Sequence, residues 1–327
     1  MYQICKSFCV SSVGILFAFL CAVSFSTEDI LLYAIKDDFH PTMVLVFNSN
    51  IGFILCLIVL FIIRPKKTES FRELLLVIIY GTFNVCAHIG VIFAIMWIGP
   101  GSGIAIFFTT TVFTAIFSVI CFKENPEVSD IFFIFCSTLG VAVLTRYMVL
   151  FEERLGKERI STVIAGVFVA LTAAITYGVA LIVGKTLSKF ETPTILTILS
   201  YLLQYSVISL IICTSFNEWK VPETLISGMT VSATAITSFF GIYFEYLAVC
   251  YENPTRVTII LTSEVIMTFV GHFTLFSFSY HWTVLVGAGL IIASCIGLMI
   301  RKKTEDDQEV IEDEGDEKEE SLPILDK

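Results

Sequence analysis

The segment from Pro254 to Phe276 carries Glu264, Thr268 and His272, which are spaced by four residues. In an α-helix this spacing places the three side chains on one face. Glu264 follows the start of the segment by roughly 15 Å of helix, which is close to the middle of a bilayer. A charge at that depth costs at least ~2.5–3.5 kcal/mol, so we expect Glu264 to contact a solute or carry a proton. The alternative is a structural carboxyl group that is hydrogen-bonded to a neighbouring helix.

A second polar stripe consists of Tyr80, Asn84 and His88, again spaced by four residues in an apolar segment. Asn84 should lie at about the same depth as Glu264, because each follows the start of its segment by a similar distance. Two polar stripes that meet at the midplane form the kind of site that secondary transporters use. For both histidines, His88 and His272, the alternative is a packing role in the helix core.

Glu245 and Arg256 lie near the ends of two consecutive apolar segments that are joined by a short turn. Their proximity predicts an ion pair at the inner mouth of a solute path, where it could act as a gate. Arg256 could instead receive an anionic solute, because a guanidinium group binds carboxylate or phosphate with two hydrogen bonds.

The elements that carry these side chains are long apolar segments. The chain has 327 residues, 56% of them hydrophobic, with a mean hydropathy of +0.86, which excludes an ordinary water-soluble domain. A spanning helix needs about 20 apolar residues, and backbone groups in lipid must be satisfied internally, so each segment is predicted to be a helix. The ten predicted spans are 8–27, 41–63, 74–98, 101–122, 128–146, 161–184, 193–216, 224–250, 254–276 and 280–300.

The ten segments form two related sets of five. Gly14, Pro41 and Thr42 are each followed 152 positions later by the same residue type, as are Ala18 and Ala22. Five spans are an odd number, so the second set must begin on the opposite side of the membrane. The sequence therefore predicts an all-α integral membrane protein with ten transmembrane helices as two inverted five-helix repeats, at 1–150 and 151–303.

The net charge of −10 comes mostly from the segment 304–327, which is rich in Glu and Asp. That composition is typical of a disordered acidic tail. More of the Lys and Arg residues lie on the side of the membrane that holds the N-terminus. This distribution predicts a multi-pass protein with both termini in the cytosol. It does not distinguish the endoplasmic reticulum or Golgi from the plasma membrane.

The pattern of helices and short motifs resembles the drug/metabolite transporter superfamily, and within it the EamA-type and solute carrier family 35 members. Pro-Thr opens the second helix of each half, at Pro41 and Pro193, and the fourth helix ends in Cys121-Phe122-Lys123-Glu124. The second half has no acidic residue opposite Glu124, which departs from the first-half pattern. The general appearance is similar to the G-type branch of family 35. The resemblance implies alternating access and is compatible with a homodimer.

We therefore expect a secondary active transporter of a small polar organic solute, an organic anion or other metabolite being candidates, with proton coupling through Glu264. No catalytic triad, phosphate loop or metal-ligand spacing is present, so the sequence predicts neither an enzyme nor a metal or cofactor site. The expected partners are the solute and the lipid bilayer, with no nucleic acid. The alternative is a non-transporting membrane scaffold that acts through its acidic C-terminal tail.

Overall fold

The structure of the protein is a computed structural model. It describes residues 2–35, 38–63, 65, 70–98, 100–122, 128–152, 160–190, 193–276 and scattered positions between 282 and 300. For some of these residues, His272 among them, it describes the backbone alone. The predicted acidic tail, Lys123, Glu124 and about half of the tenth predicted span lie outside the described residues.

The described residues form α-helices without any strand. Eleven helices are delimited: α1 Tyr2–Ala34, α2 Pro41–Ile63, α3 Phe71–Ile98, α4 Pro100–Phe107, α5 Thr110–Phe122, α6 Val128–Glu152, α7 Ile160–Leu187, α8 Thr194–Phe216, α9 Leu225–Tyr251, α10 Pro254–Leu261 and α11 Ser263–Phe276.

Local sequence explains where several helices begin and end. Asn253 caps α10, its side chain accepting a hydrogen bond from the backbone N–H of Thr255, and Pro254 occupies the first turn. Thr224 caps α9 in the same way by accepting from the N–H of Ser227. At the other end of α8, Asn217 adopts a left-handed conformation with φ of 53°, which terminates the helix.

Six of the described helices have the length and apolar composition needed to cross a membrane: Val13–Ala34 of α1, and α2, α3, α7, α8 and α9. The predicted fourth and ninth spans are each divided in two, as α4 with α5 and as α10 with α11. The chain is therefore an all-helical multi-pass membrane protein. The count of ten spans stays a prediction.

The two divided helices correct the expectation of a continuous helix in each of these segments. Around Phe108 and Thr109 the backbone contains 3₁₀-type hydrogen bonds between residues three apart, such as Thr109 N–H to Ile106 O at 3.1 Å. The same occurs at Thr262, whose carbonyl accepts from the N–H of Val265 at 3.2 Å. Tightened turns of this kind inside a helix are frequently hinges or functional sites. Glu264 is therefore the second residue of α11 instead of a mid-helix residue.

Two helices extend past their predicted ends by six residues or more, α1 and α6. α1 continues to Ala34, beyond the predicted limit at 27, and α6 continues to Glu152, beyond the predicted limit at 146. The acidic pair Glu28 and Asp29 therefore lies within α1. Both side chains are buried and hydrogen-bonded to neighbouring helices, which makes their position in an apolar helix tolerable.

The helices of the two halves pack against each other in matching pairs. α1 packs most extensively on α9, and α3 packs most extensively on α7, with α2 against α8. The smaller contacts are matched between the halves in the same way. α5 packs on α7 and α11 packs on α1, while α2 packs on α9 and α8 packs on α3. These contacts surround the core, so the centre of the molecule is built from both halves.

The outer surface is strongly apolar. Phe61, Ile62, Phe168 and Ile211 are exposed for 60% or more of their surface, as are many other large apolar side chains. Such an extensive apolar surface is unsuited to water and suited to lipid tails. The surface therefore supports placement of the helices within a bilayer.

Close approach of α3 and α4 depends on Gly103. A Cβ atom at this position would lie 3.0 Å from the carbonyl carbon of Ala94 and 3.0 Å from the backbone nitrogen of Ile95. We expect Gly103→Leu to lower the free energy of unfolding by about 1–3 kcal/mol, because backbone atoms cannot move aside as a side chain can. The measurement is the melting temperature of the purified protein in detergent.

Gly289→Leu is the matched control, because no described atom lies within 4 Å of a Cβ at Gly289. Its melting temperature should stay close to that of the wild type. An equal melting temperature for the two variants would contradict the tight α3–α4 contact.

Candidate functional site

A cavity lies where the helices of the two halves meet. It contains about 580 Å³ of empty space, part of it open to the outside. Its described lining comes from α1, α3, α4, α7, α8, α9, α10 and α11, together with Phe108 of the α4–α5 junction: Phe25, Glu28, Asp29, Leu32, Asn84, Ala87, His88, Val91, Ile92, Ile95, Phe107, Phe108, Tyr177, Tyr201, Ile242, Glu245, Leu261 and Glu264.

Four carboxyl groups line this cavity: Glu28 and Asp29 from α1, Glu245 from α9 and Glu264 from α11. Their exposed fractions are only 2%, 4%, 2% and 6%. A buried carboxylate is costly unless it has a hydrogen-bond donor, a counter-ion or a proton. The partners of each group therefore indicate what it can do.

Glu28 is held by neutral donors and by one histidine. Its Oε1 accepts a hydrogen bond from Asn48 Nδ2 at 2.8 Å and lies 3.5 Å from His88 Nε2. Asn48 is itself fixed, since its Oδ1 accepts from the hydroxyl of Thr234 at 3.0 Å. His88 also lies 3.4 Å from the hydroxyl of Ser238. Glu28 is thus anchored to α2, α3 and, through Asn48, to α9.

The carboxyl groups of Asp29 and Glu264 lie next to each other, close enough for a hydrogen bond between them when one is protonated. A hydrogen bond between two carboxyl groups requires a proton on one of them, because an ionised carboxylate has only acceptors. The hydroxyl of Thr268 donates a further hydrogen bond to Asp29 Oδ2 at 3.2 Å. This pair joins α1 of the first half to α11 of the second half and is suited to hold and release one proton.

Glu245 differs from the other three carboxyl groups. It lies beside Asn84 and Tyr177. Both neighbours are within reach of its carboxyl group, but its buried Oε1 receives no hydrogen bond of normal geometry from the described residues, and Asn84 Nδ2 likewise donates none there. An acceptor and a donor left open side by side in a cavity wall provide a place for a polar ligand.

The positively charged side chains near the α9–α10 turn lie away from the lining. Lys185 Nζ donates to the carbonyl of Glu252 at 3.0 Å, and Arg256 Nη1 lies 3.7 Å from Glu252 Oε1. This corrects the predicted pairing of Arg256 with Glu245. Arg256 pairs with Glu252 one turn earlier, because the turn between α9 and α10 brings the two side chains together, while Glu245 points into the cavity.

The structure brings together four of the predicted site residues, namely Glu264, Asn84, His88 and Glu245, all of which line the cavity. Thr268 contributes indirectly through Asp29. The remaining predicted site residues lie elsewhere or are undescribed. Tyr80 is buried outside the lining, with its ring 5.4 Å from that of Tyr246, Arg256 is outside the lining, and the side chain of His272 is outside the described residues.

Sequence reasoning missed Glu28 and Asp29, because the first span was ended at residue 27. The signal that could have found them is the apolar stretch that follows, Ile30-Leu31-Leu32. Continued apolar sequence after two adjacent acids indicates that the helix goes on and that the acids are inside the membrane segment. Such intramembrane acids are candidate functional residues by default.

The described part of the cavity lining shows no arrangement typical of a metal site. Among the described residues, His, Cys, Asp and Glu side chains do not gather in groups of three that could hold a metal ion. The four carboxyl groups are instead divided between separate partners, as described above.

Comparison with known protein families decides the identity of the fold. The model of the EamA-like transporter family matches this chain twice, at residues 12–146 and 164–300. The chain belongs to the EamA-like transporter family. The family is one of membrane transporters, and it is not an enzyme family. The resemblance found from the sequence is thereby confirmed.

Curated relatives of this EamA-like chain agree with the family assignment. Human solute carrier family 35 member G1 is 23% identical over 292 residues, which cover 89% of this chain and 80% of the human protein. Mouse solute carrier family 35 member G1 is 25% identical over 242 residues, covering 73% of this chain and 64% of the mouse protein.

A solved crystal structure has the same fold. It matches with a TM-score of 0.70 over 87% of this chain and 97% of the other chain, at 14% sequence identity. At that identity the likeness concerns the fold alone. The function of this EamA-like chain must therefore be argued from its cavity.

Proposed function

We propose that this protein is a secondary active transporter that moves a small solute across a membrane by alternating access around the carboxyl-lined cavity. The observation that carries the proposal is the cavity itself, which holds four buried carboxyl groups between helices of the two halves. Central polar sites at the interface of two halves are typical of secondary transporters. Solute and proton would bind here in turn.

Two inverted five-helix repeats are part of this proposal. Its first support is the family model, which matches the chain in two consecutive segments. Its second support is the equivalent packing of α1 on α9 and of α7 on α3. Its third support is the pair of divided helices, since Pro100–Phe107 and Pro254–Leu261 both have eight residues, begin with proline and are 154 positions apart.

The divided helices provide a mechanism for coupling the cavity to movement. Phe107 and Phe108 at the first division line the cavity, and so does Leu261 at the second. Glu264 follows Leu261 by three residues and contacts Asp29 of α1. A change in protonation of this pair would therefore act directly on the α10–α11 hinge and on its contact with α1.

We propose that the Asp29–Glu264 pair is the proton-coupling group. With one shared proton the two carboxyl groups attract, whereas with none they repel across a buried contact. Release of the proton would loosen α11 from α1, and its rebinding would restore the contact. The positive charges on the N-terminal side support a cytosolic location for both termini, as the sequence predicts.

The test of this proposal is uptake by liposomes that contain the purified protein. Candidate organic cations, neutral metabolites and organic anions are supplied with and without an imposed pH gradient. We expect the gradient to drive accumulation of one class of solute. Glu264→Gln should abolish this accumulation while solute-for-solute exchange persists, because the amide cannot exchange a proton at this site.

Glu218→Gln is the matched control, since Glu218 is exposed beyond the end of α8. It should keep the gradient-driven accumulation of the wild type. Undiminished accumulation by Glu264→Gln would contradict proton coupling at this pair. The absence of any protein-dependent solute flux would contradict transport as such.

A further inference from the structure

We infer that the cargo of this cavity is a small organic cation, with its positive group placed between Glu245 and the other carboxyl groups of the wall. The inference rests on the proposed transport function and names the class of solute. Its basis is the difference between the partners of the four carboxyl groups, together with the charge of the lining.

Three of the four carboxyl groups already have partners. Glu28 accepts from Asn48 and lies beside His88, while Asp29 and Glu264 lie against each other, where one proton can be shared. These contacts provide donors or a shared proton within the protein. They leave little need for a ligand at these three positions.

Among the four carboxyl groups, Glu245 is the one with a fully shielded oxygen that receives no hydrogen bond of normal geometry from the described residues. Its side chain is only 2% exposed; Asn84 and Tyr177 lie beside the carboxyl group, but Oε1 receives no hydrogen bond of normal geometry from the described residues. A buried carboxylate oxygen without a well-placed donor or a counter-ion is unfavourable. An ammonium group in the cavity would remove that cost by supplying both charge and, in a primary amine, hydrogen-bond donors.

The charge of the described lining favours a cation over an anion. Besides the four carboxyl groups, the ionisable basic side chain among the described lining residues is His88, which already lies 3.5 Å from Glu28. An anion would lie among carboxylates without a described Lys or Arg to neutralise it. The charge of the cavity therefore disfavours the organic anion considered from the sequence.

The remaining wall suits the organic part of such a ligand. Aromatic rings from four helices and one junction line the cavity, Phe107 and Tyr177 having centroids 5.0 Å apart. Aromatic rings attract cations through their negative faces and also cover apolar surface. The absence of a three-ligand metal cluster among the described residues favours an organic cation over a metal ion.

Binding of charge-matched probes tests this inference. Choline is compared with dimethylbutanol, its uncharged isostere, and with dimethylbutanoate, its anionic counterpart. Phenethylammonium, phenylethanol and phenylacetate form a second set with an aromatic body. We expect at least one cation to raise the melting temperature of the purified protein more than both of its counterparts.

Glu245→Gln should weaken binding of the preferred cation by about 10–100-fold, as expected for loss of one charge-assisted contact. The matched control is Glu218→Gln, which changes an exposed carboxylate and should leave the affinity unchanged. Glu245→Asp keeps the charge and serves if the glutamine variant does not fold. Its affinity should lie between those of the wild type and Glu245→Gln.

Two results would overturn the inference. One is stabilisation by a neutral or anionic member equal to or above that of its cation. The other is a cation affinity that does not change in Glu245→Gln. Neither result depends on proton coupling, which is measured separately with Glu264→Gln, so failure of the cation class and failure of the transport mechanism are distinguishable.

Discussion

Asp29→Asn is expected to reduce proton-driven transport by about a hundredfold or more, to the same level as Glu264→Gln. The two carboxyl groups lie side by side between α1 and α11, so on the proposed mechanism each needs the other to bind and release the proton. Asparagine keeps the size of the side chain and an acceptor for Thr268, which should preserve the fold. Gradient-driven accumulation of solute in liposomes measures the effect.

The decisive form of this experiment is the double variant. Asp29→Asn combined with Glu264→Gln should transport no less than either single variant, because groups that act as a unit are not additive. Asp38→Asn is the control, since Asp38 is exposed in the loop after α1, where it accepts from Ser227 at 3.1 Å. Multiplied losses in the double variant would show that the two carboxyl groups act independently.

Ala87→Phe is expected to abolish solute binding without removing any charged group. Ala87 lines the cavity from α3, and only 1% of its surface is exposed. The added ring must enter the space that the solute would occupy. We expect at least a tenfold loss of affinity for the preferred probe, with a change in stability within about 1–3 kcal/mol.

The control for cavity filling is Ala34→Phe, at the exposed end of α1. This variant adds the same ring outside the cavity and should bind and transport as the wild type does. Unchanged binding by Ala87→Phe would place the solute away from α3. It would then also remove Asn84, one turn earlier on the same helix, from the proposed contact.

Several features of the site were predictable from helical spacing and from the cost of charge in lipid. Asn84 and His88 are one turn apart, so a single helix face presents both to the cavity. Glu264 was recognised as a candidate because a carboxyl group deep in an apolar segment is costly unless it is paired or has a functional role. Both arguments depend on local sequence, and the structure places these side chains around one cavity.

Other features depended on contacts between distant segments. Asp29 lies on the lining only because α1 continues past it, and its partner Glu264 is on α11. The pairing of Arg256 with Glu252, and not with Glu245, follows from the turn between α9 and α10. Spacing along the chain does not specify which of two nearby carboxyl groups a side chain reaches.

The sequence by itself determined the class of molecule. Apolar segments of spanning length, the repeat and sparse intramembrane charges predicted a multi-pass membrane transporter. The spanning helices follow from composition, because the bilayer requires long apolar helices irrespective of their neighbours. The EamA family came from the resemblance of short motifs such as Pro41-Thr42 and Pro193-Thr194, and the family model confirmed it.

Only the tertiary structure decided how the charged groups are distributed. It placed Asp29 beside Glu264 and brought Asn48 into hydrogen-bond contact with Glu28. It left Glu245 Oε1 without a hydrogen bond of normal geometry among the described residues. The physical reason is that the state of a buried carboxyl group depends on donors and charges within a few ångströms of it. In this protein those neighbours come from helices of both halves, which meet only when the chain is folded.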